Sequence, residues 1–370
     1  MLKKLTVHGF KSIERQTIEL GPLNVLIGAN GSGKSNLIDA ITFFQASALG
    51  ERDILVKRMG GAGRILFHGN KTTKACFFSC QAAEFAYEQT LIPVAGNSLD
   101  VASERLTIRD SAVEWSAGGT DLDALERQLK EHEERRLADT VATGDLTEEE
   151  ADAELSEFPS VRSYIKGWRR YHLHDTSAAA AVKSACPVDD NRYLRGDASN
   201  LAAYLYWLRK MHPSEYRRIV AMVRLNAPYF EDFVLEPQRL NEKTIRLEWK
   251  QRQSDAYFDA DSLSDGTLRF IGLTTLLNQP KWAMPSLIVI DEPELGLHPL
   301  AIRRLAEMLD AAAETTQLLV ATQSVTLLDN FLIGQVIVAD HDGRGSQFRR
   351  RVDAWKAIGS DFARPPGSPC

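Results

Sequence analysis

The sequence predicts an α/β fold, a mixed sheet with flanking helices and a helical insertion in its middle, on three observations. The first is a strand, loop and helix near the start of the chain. LNVLIG (23–28) is a continuous apolar run of the kind buried on both faces, and apolar residues recur at helical spacing in SNLIDAITFFQAS (35–47). The second is a pair of further apolar strands, SLIVI (286–290) and QLLVAT (317–322), separated by the helical pattern LAIRRLAEMLDAAAE. The third is that strand patterns at both ends of the chain enclose a charged, helix-rich middle.

The bulk composition agrees with a globular protein. Among the 370 residues, 44% are hydrophobic and 25% charged, enough for one large domain or two modest ones. The net charge of -6 argues against a generally basic nucleic-acid coat but leaves room for a local basic patch. No apolar run approaches the roughly 18 residues of a membrane span. The N-terminal MLKKLTVHGFKS lacks the apolar core of a signal peptide, so a cytoplasmic location and no membrane partner are expected. The four cysteines, Cys76, Cys80, Cys186 and Cys370, form no CxxC pair and are expected to be small buried or edge thiols.

Taken in order, residues 2–8 and 16–20 alternate like paired strands, and RILFHG, KACFFSCQ, FAYEQTLI and ERLTIRD within 64–110 read as further strands. Residues 121–157 are dense in charge and helix formers. Gly144 divides them into two helices, and Thr147 with Glu150 has the form of a capping box, so a short solvated hairpin is expected. It is too brief for a coiled coil. Residues 198–224 form a longer helical region containing Pro213, and strands return from 233 with FVLEP, TIRLEWKQR and DAYFDA. The expected blocks are therefore 1–115, 116–230 as the helical insertion, 231–345, and a disordered tail over 346–370 that ends in ARPPGSPC.

Gly28-x-x-x-x-Gly33-Lys34-Ser35 fits the phosphate-binding loop G-x-x-x-x-G-K-[ST], and it stands between a strand and a helix as that motif requires. The glycines allow positive φ, which turns backbone N–H groups inward to make an anion nest at a helix start. Gly28, Ala29, Asn30, Gly31, Ser32, Gly33, Lys34, Ser35 and Asn36 are the expected ATP-binding residues. Lys34 would reach the β- and γ-phosphates, and Ser35 would hold Mg²⁺. SLIVIDEPELGLHP supplies a partner for the metal. Asp291 suits Mg²⁺, directly or through water, and Glu292 suits a general base for the attacking water. Ser264, Asp265 and Gly266 in SLSDGTLRF precede a helix, either as a second anion site or as an ordinary N-cap.

Together these segments resemble the ABC-class ATPases of the RecF/SMC type. LSDGT is similar to their signature motif, DEPELGLHP to their Walker B strand end and D-loop, and GFKS (9–12) to the start of their heads. GPLNVLIGANGSGKSN, YHLHDTS, DNRYLRGDASNLAAYLYWLR and LSDGTLRFIGL also resemble segments of bacterial predicted AAA-family ATPases, over most of residues 1–340. The resemblance implies a P-loop NTPase head that dimerises around two ATP. Each ATP would be bound by Lys34 and Ser35 of one chain and by 264–266 of the other, with Glu292 hydrolysing it. Lys11 would approach the nucleotide unless it is a simple surface lysine, and His298 would lie in the D-loop at the dimer interface unless it merely caps a helix. The implied output is a switched interaction with DNA or RNA, or with a separate effector such as a nuclease, in DNA repair or anti-phage defence. A non-hydrolysing or very slow scaffold is the alternative.

Two departures from that pattern matter. Gln323 stands where such heads carry a switch histidine; its amide can donate to a γ-phosphate but cannot take a positive charge, so slow turnover is expected. No Q-loop glutamine is assignable: Gln45 is too near the loop and Gln81 is only possible by position. His172, His174 and Asp175 in YHLHDTS place two histidines on one strand face, and a structural or nucleotide-sensing segment is preferred to a metal site because no third histidine is evident. Basic clusters at Lys166–Arg169–Arg170, Arg209–Lys210, Arg217–Arg218 and Arg349–Arg350–Arg351 suit a phosphate backbone or a solvated helix face equally.

Overall fold

The structure is a computed structural model, and it describes residues 1–109, 111–116 and 122–350. β1 (Leu2–Phe10) and β2 (Ile13–Glu19) form a hairpin. β3 (Leu23–Ile27) runs into the glycine loop and α1 (Lys34–Ala48), followed by the short helices α2 (Arg52–Arg58) and α3 (Ala62–Ile65). β4 (Cys76–Ala82), β5 (Phe85–Val94), β6 (Ser98–Ile108) and β7 (Ser111–Ser116) are an antiparallel meander. Then come α4 (Leu122–Thr143), α5 (Glu148–Ser156), α6 (Val161–Lys166), β8 (Trp168–Tyr171), β9 (Cys186–Pro187), α7 (Leu201–Met211) and α8 (Pro213–Asn226). Five short strands follow, β10 (Phe230–Val234), β11 (Pro237–Gln238), β12 (Asn241–Ile245), β13 (Glu248–Gln251) and β14 (Tyr257–Asp259). The remaining elements are α9 (Asp265–Leu277), β15 (Leu287–Asp291), α10 (Pro299–Ala313), β16 (Gln317–Thr322), α11 (Val325–Leu328), β17 (Val336–His341) and β18 (Ser346–Arg350).

The chain divides into two compact units. The first comprises Met1–Gly21, Gly28–Trp168 and the chain from Ile337 onward. Its six-stranded sheet runs β2-β1-β4-β5-β6-β7. One face is filled by aromatic rings. Phe44 of α1 stacks on Phe78 and Tyr87 with centroids 5.5 Å apart in each case, and Phe10 and Phe43 pack on Phe78 at 5.6 and 5.7 Å. Such contacts add to the area term of burial and fix the position of α1 on the sheet. Cys76 and Cys80 are buried in β4, and burial pushes both thiols up to about 12. The hairpin of α4 and α5 turns at Gly144 with φ +81, and Thr147 and Glu150 form the reciprocal capping box.

The second unit comprises Pro22–Ile27 and Arg169–Val336. β3, β16 and β15 are parallel neighbours, with Val320 opposite Val25 and Ile290 opposite Val320. Their side chains are buried on both faces, which explains the unbroken apolar runs in the sequence. α7 to α10 pack into the same core, which includes Leu205, Ile219, Phe270 and Leu305. Pro213 takes the first position of α8, where its missing N–H leaves no bond unmade, so the long helical region is two helices.

Two expectations change. RILFHG is not a strand: Gly60 and Gly61 at φ +88 and +89 lead into α3, and His68 at φ 54 with Gly69 at φ +79 turns the chain out of it, leaving one bridge from Leu66 to Phe10. Ser346–Arg350 is not the start of a disordered tail but strand β18, antiparallel to β17; residues 351–370, with Arg351 and Cys370, lie outside the described residues.

Candidate functional site

The glycine loop of the first unit is shaped by what its residues lack. Gly31 and Gly33 have φ +79 and +101. A Cβ on Gly28 would lie 2.6 Å from Ser32 Oγ and overlap the carbonyl of Ala339, and one on Gly33 would overlap the Ser346 side chain. Ser346 is fully buried and is held by Ser12, its N–H donating to the Ser12 carbonyl at 2.7 Å and the two hydroxyls 2.7 Å apart. Asn36 donates to the Ser12 hydroxyl at 2.6 Å. Thus GFKS, the loop, the start of α1 and β18 share one network.

That loop fits a phosphate group. α1 is 15 residues long and begins at Lys34 with no side-chain cap, and a helix start of this kind favours an anion. Ser32 Oγ is buried with no hydrogen-bond partner among the described residues. Lys34 is 7% exposed, and its ammonium donates to the carbonyls of Gly28 and Ala29 at 2.6 and 3.0 Å, inside the loop. Ser35 is exposed, as a metal-binding hydroxyl needs to be. Lys11 has φ 48 and its ammonium pairs with Asp39 of α1 at 2.5 Å, which holds it beside the helix that follows the loop. Gln45 donates to the carbonyls of Ile165 and Trp168, a structural role, while Gln81 is exposed on β4.

In the second unit β15 delivers Asp291 and Glu292. Glu292 has φ 44, a strained conformation for a non-glycine residue, fixed by its N–H donating to Ala321 at 2.8 Å. Its carboxylate accepts from the Gln323 side chain, at the end of β16. Glu294, two residues on, accepts from Thr322 Oγ1 at 2.5 Å, and its other oxygen is buried without a hydrogen-bond partner. The Asp291 side chain is 13% exposed, with Arg170 at 3.7 Å and His172 Nδ1 at 3.9 Å. His174 Nε2 is 3.0 Å from the Asp291 carbonyl, and the two histidine rings pack at 3.9 Å. Burial, then the neighbouring His174, lowers the pKa of His172 below the usual imidazole value, so it is neutral there at pH 7.

Ser264 caps α9, its hydroxyl accepting from Thr267 N–H at 3.2 Å, and Ser264 and Asp265 remain exposed. A Cβ on Gly266 would overlap the carbonyl of Gly296 in the DEPELGL turn. His298 caps α10, accepting from Leu300 N–H at 3.3 Å. The second unit therefore gathers 264–266, Asp291, Glu292 and Gln323. The sequence reading missed Arg170 and the YHLHD segment as neighbours of Asp291, and Glu294 and Arg269 entirely. A proline-flanked DEPE and a basic-aromatic WRRYHLHD were visible, but only the topology places β8 next to β15.

A protein family described as "AAA domain, putative AbiEii toxin, Type IV TA system" matches residues 106–329, and a second, described as "AAA domain", matches 4–76. The Chromosome partition protein Smc of Halothermothrix orenii is 41% identical over 76 residues, 20% of this chain and 6% of that protein. The DNA double-strand break repair Rad50 ATPase of Saccharolobus solfataricus is 35% identical over 77 residues, 20% of this chain and 9% of that protein. The chain thus spans less than a tenth of either relative. A crystal structure of the SmcHead bound to the C-winged helix domain of ScpA matches with TM-score 0.54 and 15% identity, over 94% of this chain and 96% of that one, so the fold is shared. Among the described residues no helix is long and apolar enough to cross a membrane.

Proposed function

The chain belongs to the AAA-domain family matched over 106–329, as an SMC/RecF-type ABC ATPase, and from that premise we propose that it is an ATP-driven dimerisation switch. The observation that carries this is the loop itself: an uncapped helix start, a buried hydroxyl without a partner and a buried lysine converge in a nest that glycine alone permits. Lys34 and the backbone of Gly28–Asn36 would hold the triphosphate of ATP, Ser35 would offer its hydroxyl to the metal within the first unit, and Asp291 would offer its carboxylate to a metal within the second. Bound Mg²⁺ supplies a Lewis acid for the phosphate oxygens. Glu292 accepts the proton of the attacking water. Ser264–Gly266 and His298 are presented to a second copy of the chain, and Lys11 lends positive charge near the loop.

Turnover is slow in this reading. Gln323 already donates to Glu292, and a neutral amide cannot add the charge that a histidine could. The same contact supports the second reading, a nucleotide-dependent scaffold for a separate effector that hydrolyses little or nothing. The output we propose is a nucleic-acid contact gated by the dimer, in repair or in defence.

Light scattering after size exclusion, on wild type and Glu292→Gln with and without ATP–Mg²⁺, tests the reading. A dimer of the variant that forms only with ATP supports it. Monomers throughout, or equal dimers without nucleotide, overturn the switch. Measured turnover with a working Glu292 separates switch from scaffold.

A further inference from the structure

Arg269 is five residues beyond Ser264 on α9 and only 5% exposed. A buried guanidinium requires full hydrogen bonding, and carboxylates are its usual partners. Here, among the described residues, every hydrogen bond it makes ends on a backbone carbonyl. Nε donates to Leu173 at 2.7 Å, Nη2 to His174 at 3.1 Å, and Nη1 to Leu295. Burial lowers its pKa below the usual arginine value, against a smaller opposite pull from Asp265.

The three acceptors belong to two segments that surround the carboxylates. Leu295 is three residues past Glu292, in the turn whose Leu295 N–H returns to the Glu292 carbonyl at 3.2 Å. Leu173 and His174 follow β8, and the His174 ring reaches the Asp291 carbonyl at 3.0 Å. Glycines remove the space between the parts: a Cβ on Gly296 would lie 2.8 Å from Arg269 Nη1, and one on Gly266 would overlap the Gly296 carbonyl. A planar fork with donors in fixed directions can satisfy three carbonyls at once. A lysine ammonium is a single point and cannot span them.

We propose that Arg269 is a positioning residue that ties the Ser264–Gly266 segment to the Asp291–Gly296 turn, so that engagement of nucleotide at the first sets the geometry of the carboxylates at the second. The proposal rests on the ATPase-switch reading for its consequence, and on the three carbonyl contacts for its mechanism.

The test uses the full chain with Arg269→Lys and Arg269→Gln, followed by steady-state ATPase kinetics and amide hydrogen exchange. Both variants are expected to lower kcat by about 100-fold, the scale of a misplacement of about 1 Å, with KM for ATP within about twofold because the glycine loop is untouched. Exchange is expected to rise together in 172–175, 264–268 and 294–297. Restoration of wild-type kcat by lysine, or a rise confined to 264–268, overturns the proposal. Should the Arg269 variants fail to fold, His174→Ala removes the arm to Asp291 together with the packing on His172 and leaves the carbonyl that Arg269 bonds, and an unchanged kcat there overturns it. If wild type itself shows no ATP turnover, the ATPase reading has failed, and the exchange pattern alone decides whether Arg269 couples the two segments.

Discussion

The phosphate loop and the carboxylate turn hold charge in place by opposite means. Around Gly28 and Gly33 the backbone approaches Ala339 and Ser346 because no side chain intervenes. Around Asp291 and Glu292 side chains reach in: Gln323 onto the Glu292 carboxylate, Thr322 onto the Glu294 carboxylate, His174 onto the Asp291 carbonyl. The loop is therefore broken by adding atoms, whereas the neighbourhood of the two carboxylates is broken also by removing them. A loop that must close on a multiply charged ligand is served by N–H groups at fixed spacing. A carboxylate that must accept a proton needs neighbours that set its orientation without neutralising it.

The largest effect should come from one added methyl group. Gly33→Ala places a Cβ on a residue at φ +101 and against Ser346, so ATP binding measured by calorimetry should be lost and the melting temperature lowered. Binding equal to wild type would mean that the loop tolerates addition and the contrast is false. Next, Glu292→Gln should lower turnover by about 100-fold or more while ATP affinity is retained, the range for removing a general base. Loss of affinity instead would show that the turn also builds the binding site. A smaller effect is expected of Gln323: its change to His should raise turnover by about tenfold, less than the roughly 100-fold or more of a full acid–base group, and its change to Ala should not.

The smallest effect belongs to a segment that needs neither device. α5 is capped by its own sequence, Thr147 with Glu150. The Thr147 backbone N–H, then its hydroxyl, hold the Glu150 carboxyl below the ordinary value of 4.5. A depressed carboxyl contributes above its unfolded pKa, and the contribution is lost as pH falls through the folded value. Amide exchange in 148–152, taken relative to the intrinsic rate at the same pH, should thus quicken only in acid below about pH 4.5. Thr147→Ala should quicken it at every pH and leave ATP binding unchanged.

Legibility in the sequence follows the same division. The glycine loop, the capping box and the apolar strands β3, β15 and β16 were readable because each is written in consecutive residues at a known spacing. RILFHG was misread because its three consecutive apolar residues, Ile65, Leu66 and Phe67, have the form of a buried strand while the glycines before and after them dictate turns. β18 was hidden by the Pro-rich stretch that follows it. Arg269 was invisible because an arginine at helical spacing has no signature of burial, and its acceptors, Leu173, His174 and Leu295, are carbonyls that any residue could supply. Asp291 and Glu292 were readable as acids, but not the company of Arg170, His172 and His174, which depends on β8 lying beside β15.

The hydroxyl pair of Ser12 and Ser346 spans 334 positions of chain. During synthesis the glycine loop leaves the ribosome early, long before the strand that packs against Gly33 exists. For most of translation the nascent chain carries the phosphate motif without its wall. The wall behind Gly33 is therefore complete only once β18 has been made.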